Sequence, residues 1–323
     1  MKIGPRWLIW FLGLALLAGV IVIALHFAEA GEFLRVVQRA QPIWLLLAIA
    51  LQAVTYPAQA AVWQLVARAS KGRLSFGDAC RISVAKQFVD QALPSAGLTG
   101  TVFVAGALDA QGMSRGAAWA AVAINLISYN TVYVLGIALA LSLGVLRGRG
   151  SSAIILISAI FTVLTAGITL LMFFLPGRKS HPLSRRIGKV PMVHGILQHL
   201  ESADVRLVRH LGILSIAAIC QIAIIVLDTF TLVALIESLG TSARIAGAFA
   251  VFMIASLVRS MGFVPGGLGT FEAASVLSLR LTGARLSVAL GATLMFRVLS
   301  FWLPMFPGLW YSRQLAPSVK VQK

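Results

Sequence analysis

Apolar residues fall along the chain in eight long runs, at 7–27, 43–66, 82–110, 116–146, 151–175, 211–239, 245–281 and 286–309, separated by short polar or basic segments. A stretch of about 20 such residues spans the hydrocarbon core of a bilayer as a helix. Six of the runs are continuous. The other two are broken, one at Pro94 and one at Pro265. The second break reads Val264-Pro265-Gly266-Gly267-Leu268-Gly269-Thr270-Phe271-Glu272. Proline removes a backbone donor and glycine permits positive φ, so a helix has to stop here and restart. In hydrocarbon such a break survives only where protein or a water-filled cavity satisfies the freed backbone groups. Pro265, Gly266, Gly267 and Gly269 are therefore candidate site residues rather than linker.

Charge decides how the broken runs sit. If 82–110 were one kinked crossing, the basic segment 176–210 would lie outside, against the positive-inside rule. If each broken run enters and leaves on the same face, 18 of the 27 Lys and Arg residues become cytoplasmic, 7 lie outside, and Arg259 and Arg297 remain in the membrane. The sequence thus predicts an all-α polytopic membrane protein with six transmembrane helices, two re-entrant helical hairpins and both termini in the cytoplasm. A content of 59% hydrophobic and 11% charged residues is outside the soluble range. The run at 7–27 has no clean cleavage site after it and reads as a retained helix rather than a signal peptide.

The net charge of +17 changes little, because the basic residues lie in short loops beside apolar runs, where they meet anionic headgroups. Nucleic acid is not an expected partner, since no basic tract interleaves with aromatics. Cys80 and Cys220 are far apart and have no metal-ligand spacing, so they read as packing residues.

The two breaks resemble each other. Leu93-Pro94-Ser95-Ala96-Gly97-Leu98-Thr99-Gly100-Thr101 parallels the stretch from Val264 to Thr270. Each proline is followed by a glycine (Gly112, Gly283), a basic residue (Arg115, Arg285) and an Ala-rich helix. The chain reads as a single domain, 1–323, built as an inverted repeat with halves of about 1–150 and 151–323. Broken helices in corresponding halves point to the central site of a transporter.

The motif from Pro265 to Glu272, with Phe296-Arg297-Val298-Leu299-Ser300-Phe301-Trp302-Leu303-Pro304 after it, resembles the flippase-like domain of the lysylphosphatidylglycerol synthase transmembrane family. The first-half motif, Leu93 to Gly100, is similar to a hopanoid-associated branch. The resemblance covers nearly the whole chain and implies a lipid-translocating domain with paired re-entrant helices. Where many relatives carry an acidic residue and an Arg/Asp pair, this chain holds Thr101, Asn125 and Asn130. With the chain ending at Lys323, the soluble aminoacyl-transferring domain is not expected, nor is lipid aminoacylation by this chain.

Among individual residues, Glu272 stands near the start of a restarting helix. Either it complements the helix dipole beside a Thr270 cap, or this end binds a headgroup or a proton. Arg259 and Glu272 fall at similar depth on the two arms, where a cross-hairpin salt bridge is the expected role of Arg259. Arg297 lies near the midplane and needs compensation, from Asp228, from Glu272 or from a lipid phosphate, with phosphate slightly favoured. Lys86 and Asp90 read as a local i, i+4 pair. Thr99, Thr101, Asn125 and Asn130 offer polar groups for a headgroup path or for helix contacts, and Gln52, Thr55, Tyr56 and Gln59 interrupt the second crossing.

The expected function is a bacterial inner-membrane lipid flippase, not an enzyme and without a cofactor, whose partners are lipids with anionic headgroups. A homo-oligomer or a complex with lipid-synthesis enzymes stays open. The alternatives are a lipid-modifying enzyme, for which no hydrolase or metal motif is found, a small-solute carrier, and a scaffold of a lipid-synthesis complex.

Overall fold

The computed structural model describes residues 38, 40–92, 97–145, 152–174, 176, 199–261 and 265–315. The run at 7–27, the first break at Pro94 and the basic segment 177–198 lie outside the described residues. Those that are described are helical, with no strand among them.

Helix α1 (Pro42–Ala69) opens on a proline at its first position, behind an extended Gln41. The missing N–H costs nothing there, and the fixed φ already suits a helix. Then come α2 (Phe76–Ala92), α3 (Leu98–Ala110), α4 (Arg115–Val145) and α5 (Ser152–Phe174). After a single turn, α6 (Val205–Val208), follow α7 (Leu211–Ser238), α8 (Ile245–Met261), a 3-10 turn (Pro265–Gly267), α9 (Thr270–Leu281) and α10 (Leu286–Arg297). A π-helical turn (Val298–Trp302) joins α10 to α11 (Leu303–Leu315). Among the described residues four spans are long and apolar enough to cross a membrane: α1, α4, α7 and the continuous Leu286–Leu315. The chain is a polytopic membrane protein.

Helices α2 and α3 pack against each other as a hairpin, and so do α8 and α9. Their 17, 13, 17 and 12 residues fall short of the roughly 20 that a crossing requires. The hairpins correspond in detail. Gly97 and Gly269 stand at the N-caps of α3 and α9, with φ of 83° and 78°. Gly112 and Gly283 turn the chain out of each hairpin, with φ of 87° and 98°.

Among the described residues two large apolar cores divide the bundle lengthwise, with a small third cluster of Leu268 and Phe301 at the tip of the second hairpin. One gathers the C-terminal part of α1, α2, α3, and the N-terminal parts of α4 and α7. The other gathers the C-terminal parts of α4 and α7 with α8, α9 and α10. The hairpins therefore sit at opposite ends of the same long helices. Helix α1 runs antiparallel to α7, as shown by the bond from Gln41 N to Ser238 O. Between the cores the long helices carry polar side chains: Gln52 and Thr55 on α1, Asn125 and Ser128 on α4, Gln221 on α7, all buried.

Candidate functional site in the middle of the bundle

The tip of the second hairpin is held by close approach. Gly266 and Gly267 have φ of 57° and 65°, which residues with a Cβ adopt at a cost. A Cβ at Gly266 would stand 2.1 Å from the Phe301 ring, and one at Gly267 2.1 Å from Cγ of Arg259. Pro265 opens the 3-10 turn. The helix restarts at Gly269 without a side-chain cap. Thr270 is therefore not the cap expected of it. Its hydroxyl donates instead to the Gly267 carbonyl at 3.0 Å.

Glu272, in the first turn of α9, is fully buried. Its Oε1 accepts from Nε of Arg297 at 2.7 Å. Arg297 is 3% exposed, donates from Nη2 to the Gly266 carbonyl at 3.0 Å, and lies over Phe301 and Phe271, 4.4 and 5.2 Å from their ring centres. One guanidinium thus ties the hairpin tip, the restarted helix and the last span together, and the flanking rings close it off. Of the three partners considered for Arg297, Glu272 is the one in place. In this arrangement Nε and Nη2 of Arg297 are engaged by protein groups and the side chain is 3% exposed.

Arg259 does not pair with Glu272, which corrects the cross-hairpin bridge expected from depth. Glu272 turns to the later helix because Arg259 lays its stem along Gly267, whereas the α10 terminus delivers Arg297 within reach of the carboxylate. Half-buried on α8, Arg259 makes no ion pair among the described residues. Asp228, Tyr129 and Tyr133 lie in its electrostatic range. Asp228, half-buried on α7, takes a hydrogen bond from Nε2 of Gln52 at 3.2 Å, so its partner is neither Arg297 nor Glu272.

A second polar knot lies seven residues along both helices, about 10 Å at 1.5 Å per residue. Asn125 Oδ1 accepts from Gln59 at 2.8 Å and from Gln221 at 2.9 Å, which joins α1, α4 and α7. Asn125 is thus a helix-to-helix junction. Asn130 is half-buried on α4.

In the first hairpin, Thr101 Oγ1 donates to the Gly97 carbonyl at 2.9 Å, and Thr99 occupies the first turn of α3. Gly100 leaves room for the Asp90 carboxylate, since a Cβ there would stand 1.9 Å from Oδ1. Asp90 pairs with Lys86, as the spacing foretold. Helix α2 also touches the Pro265–Gly267 turn, which brings the first hairpin to the tip of the second. Pro94, the remaining candidate, lies outside the described residues.

Several participants went unrecognised in the sequence. Pro304 has no N–H to offer the Ser300 carbonyl four residues before it. Gln91 donates to that carbonyl at 3.3 Å and Gln87 at 3.5 Å. The available signal was a Ser-x-x-x-Pro spacing beside an intramembrane arginine. For Gln221 it was the seven-residue step to Asp228, one face of a helix.

A family model described as "Lysylphosphatidylglycerol synthase TM region" matches residues 10–308. No curated protein matches the chain.

Proposed function

The chain belongs to the lysylphosphatidylglycerol synthase transmembrane family, and on that premise we propose that it is a lipid flippase of the bacterial inner membrane. Its cargo is an anionic phospholipid or a polyprenyl- or hopanoid-type lipid, and the headgroup crosses along the polar layer between the two apolar cores. The topology proposed with it has six crossings, two hairpins re-entering from opposite faces, and cytoplasmic termini.

One observation carries the assignment. Arg259 is a half-buried arginine on an apolar helix with no ion pair among the described residues. A charge in that position is expensive unless something meets it, and a guanidinium matches the oxygens of a phosphate. Arg259 is therefore the residue that receives the headgroup phosphate. Arg297 and Glu272 hold the tip on which it rests.

Purified protein in liposomes is expected to speed the exchange of a labelled native lipid between leaflets. Arg259→Ala should slow it about 10- to 100-fold, the loss of one charge-assisted hydrogen bond of about 1.5–3 kcal/mol. Unchanged exchange in that variant would sink the assignment of Arg259. Absence of exchange for every native lipid would favour a scaffold or an enzyme.

A further inference from the structure

Resting on the flippase reading, we propose that Asp228 is a proton-binding site whose protonation leaves the charge of Arg259 to be balanced by the lipid phosphate, so that headgroup binding takes up one proton. The argument begins with Gln52. Its side chain is 7% exposed, its Nε2 donates to Asp228 Oδ1 at 3.2 Å, and its Oε1 is buried with no hydrogen-bond partner among the described residues. A buried acceptor without a donor is costly. An ionised carboxylate can only accept, whereas a carboxylic acid also donates. A neutral Asp228 can lie side by side with the Gln52 amide, taking Nε2–H on one oxygen and giving its own O–H to Oε1. The lone acceptor at Gln52 is thus the place kept for a proton on Asp228.

The groups facing Asp228 define the switch. From α1 come Gln52 and Tyr56, and from α8 comes Arg259. Tyr133 on α4 also lies in its electrostatic range, while Tyr129 faces Arg259. Beyond Arg259 stands Arg297, whose charge is already met by Glu272. Arg259 and Asp228 lie in electrostatic range of each other without an ion-pair contact. With Asp228 ionised, the four charges Arg259, Asp228, Arg297 and Glu272 sum to zero and an incoming phosphate would add a net negative charge to a low-dielectric site. With a proton bound, an O–H bond forms on the Asp228 carboxylate, the set carries one positive charge, and a diester phosphate restores neutrality. Releasing the proton reverses the preference and expels the headgroup.

The test uses the full chain in liposomes with fluorescent phosphatidylglycerol as the probe for exchange and an entrapped pH dye for protons. Between about pH 5 and 8 the phosphate diester stays ionised. In the limit of one proton per binding event, the apparent lipid affinity should fall by about tenfold per pH unit above the titration midpoint and level off below it. Label movement should also carry protons. Asp228→Asn, which keeps the side-chain shape, should flatten the pH dependence and silence the proton signal. Gln52→Leu, which removes the amide, should move the midpoint while the stoichiometry stays at one. Wild-type exchange that is flat with pH, an Asp228→Asn variant with the wild-type slope, or an unmoved midpoint in Gln52→Leu would overturn the coupling alone. A wild-type protein that exchanges no label at any pH would overturn the flippase reading and the coupling with it.

Discussion

Arg297 and Glu272 cost little together and much apart. Both are almost fully buried, and Nε of Arg297 meets Oε1 of Glu272 at 2.7 Å, while Oε2 of Glu272 has no hydrogen-bond partner among the described residues. Removing one partner leaves an uncompensated charge in a low-dielectric interior, a loss of about 3–5 kcal/mol. Glu272→Ala should therefore lower the thermal midpoint of the detergent-solubilised protein strongly. The double variant Glu272→Leu with Arg297→Met should recover a large part of that loss. A double variant as unstable as the single one would show that the pair has no lock function. That both charges matter was legible, because an arginine in the middle of an apolar run demands a partner. Which partner it takes was not legible. Asp228 and Glu272 are equivalent in sequence, and only the fold brings Glu272 to the α10 terminus and leaves Asp228 beside Gln52.

At the scale of elements, the last span and the first hairpin fit each other through missing atoms. Gly308 on α11 faces α2, where a Cβ would stand 2.6 Å from Phe88 Cβ and 2.9 Å from the Val84 carbonyl. Small residues at such crossings let two helices approach closely. Beside that contact, the carbonyl freed by Pro304 accepts from Gln91 and Gln87, so one turn of irregular helix becomes an attachment point. Because a backbone carbonyl cannot step aside, Gly308→Val should destabilise the protein by about 1–3 kcal/mol. The same change should weaken protection of α2 amides in hydrogen exchange. Unaltered exchange across α2 would show that the helices do not depend on this approach. The sequence placed the second break correctly at Pro265 and the glycine restart of the first hairpin at Gly97, since proline and glycine punctuate helices through their own backbone chemistry. It did not reveal the attachment of α2 to α11, which joins residues more than 200 positions apart.

On the scale of the whole molecule, the two hairpins lie at opposite ends of α1, α4 and α7, and the cores they complete are separated by a polar layer. Single cysteines test the topology proposed from this arrangement. Positions 73 and 111, flanking the first hairpin, should be labelled by a membrane-impermeant reagent from one face, and 241 and 283, flanking the second, from the other. Labelling of 73 and 111 from different faces would mean that α2 and α3 together make a full crossing. By itself the sequence determined the all-helical membrane class, the family, the places where helices must break, and the presence of intramembrane charge. These follow from side-chain transfer energies and backbone restrictions that act within a few residues. Only the tertiary structure decided that Arg297 is locked while Arg259 has no ion pair among the described residues, and that Gln52 Oε1, beside Asp228, has no hydrogen-bond partner among them. Those outcomes depend on which of several chemically equivalent groups the packing of distant helices brings within hydrogen-bonding distance, which no local pattern encodes.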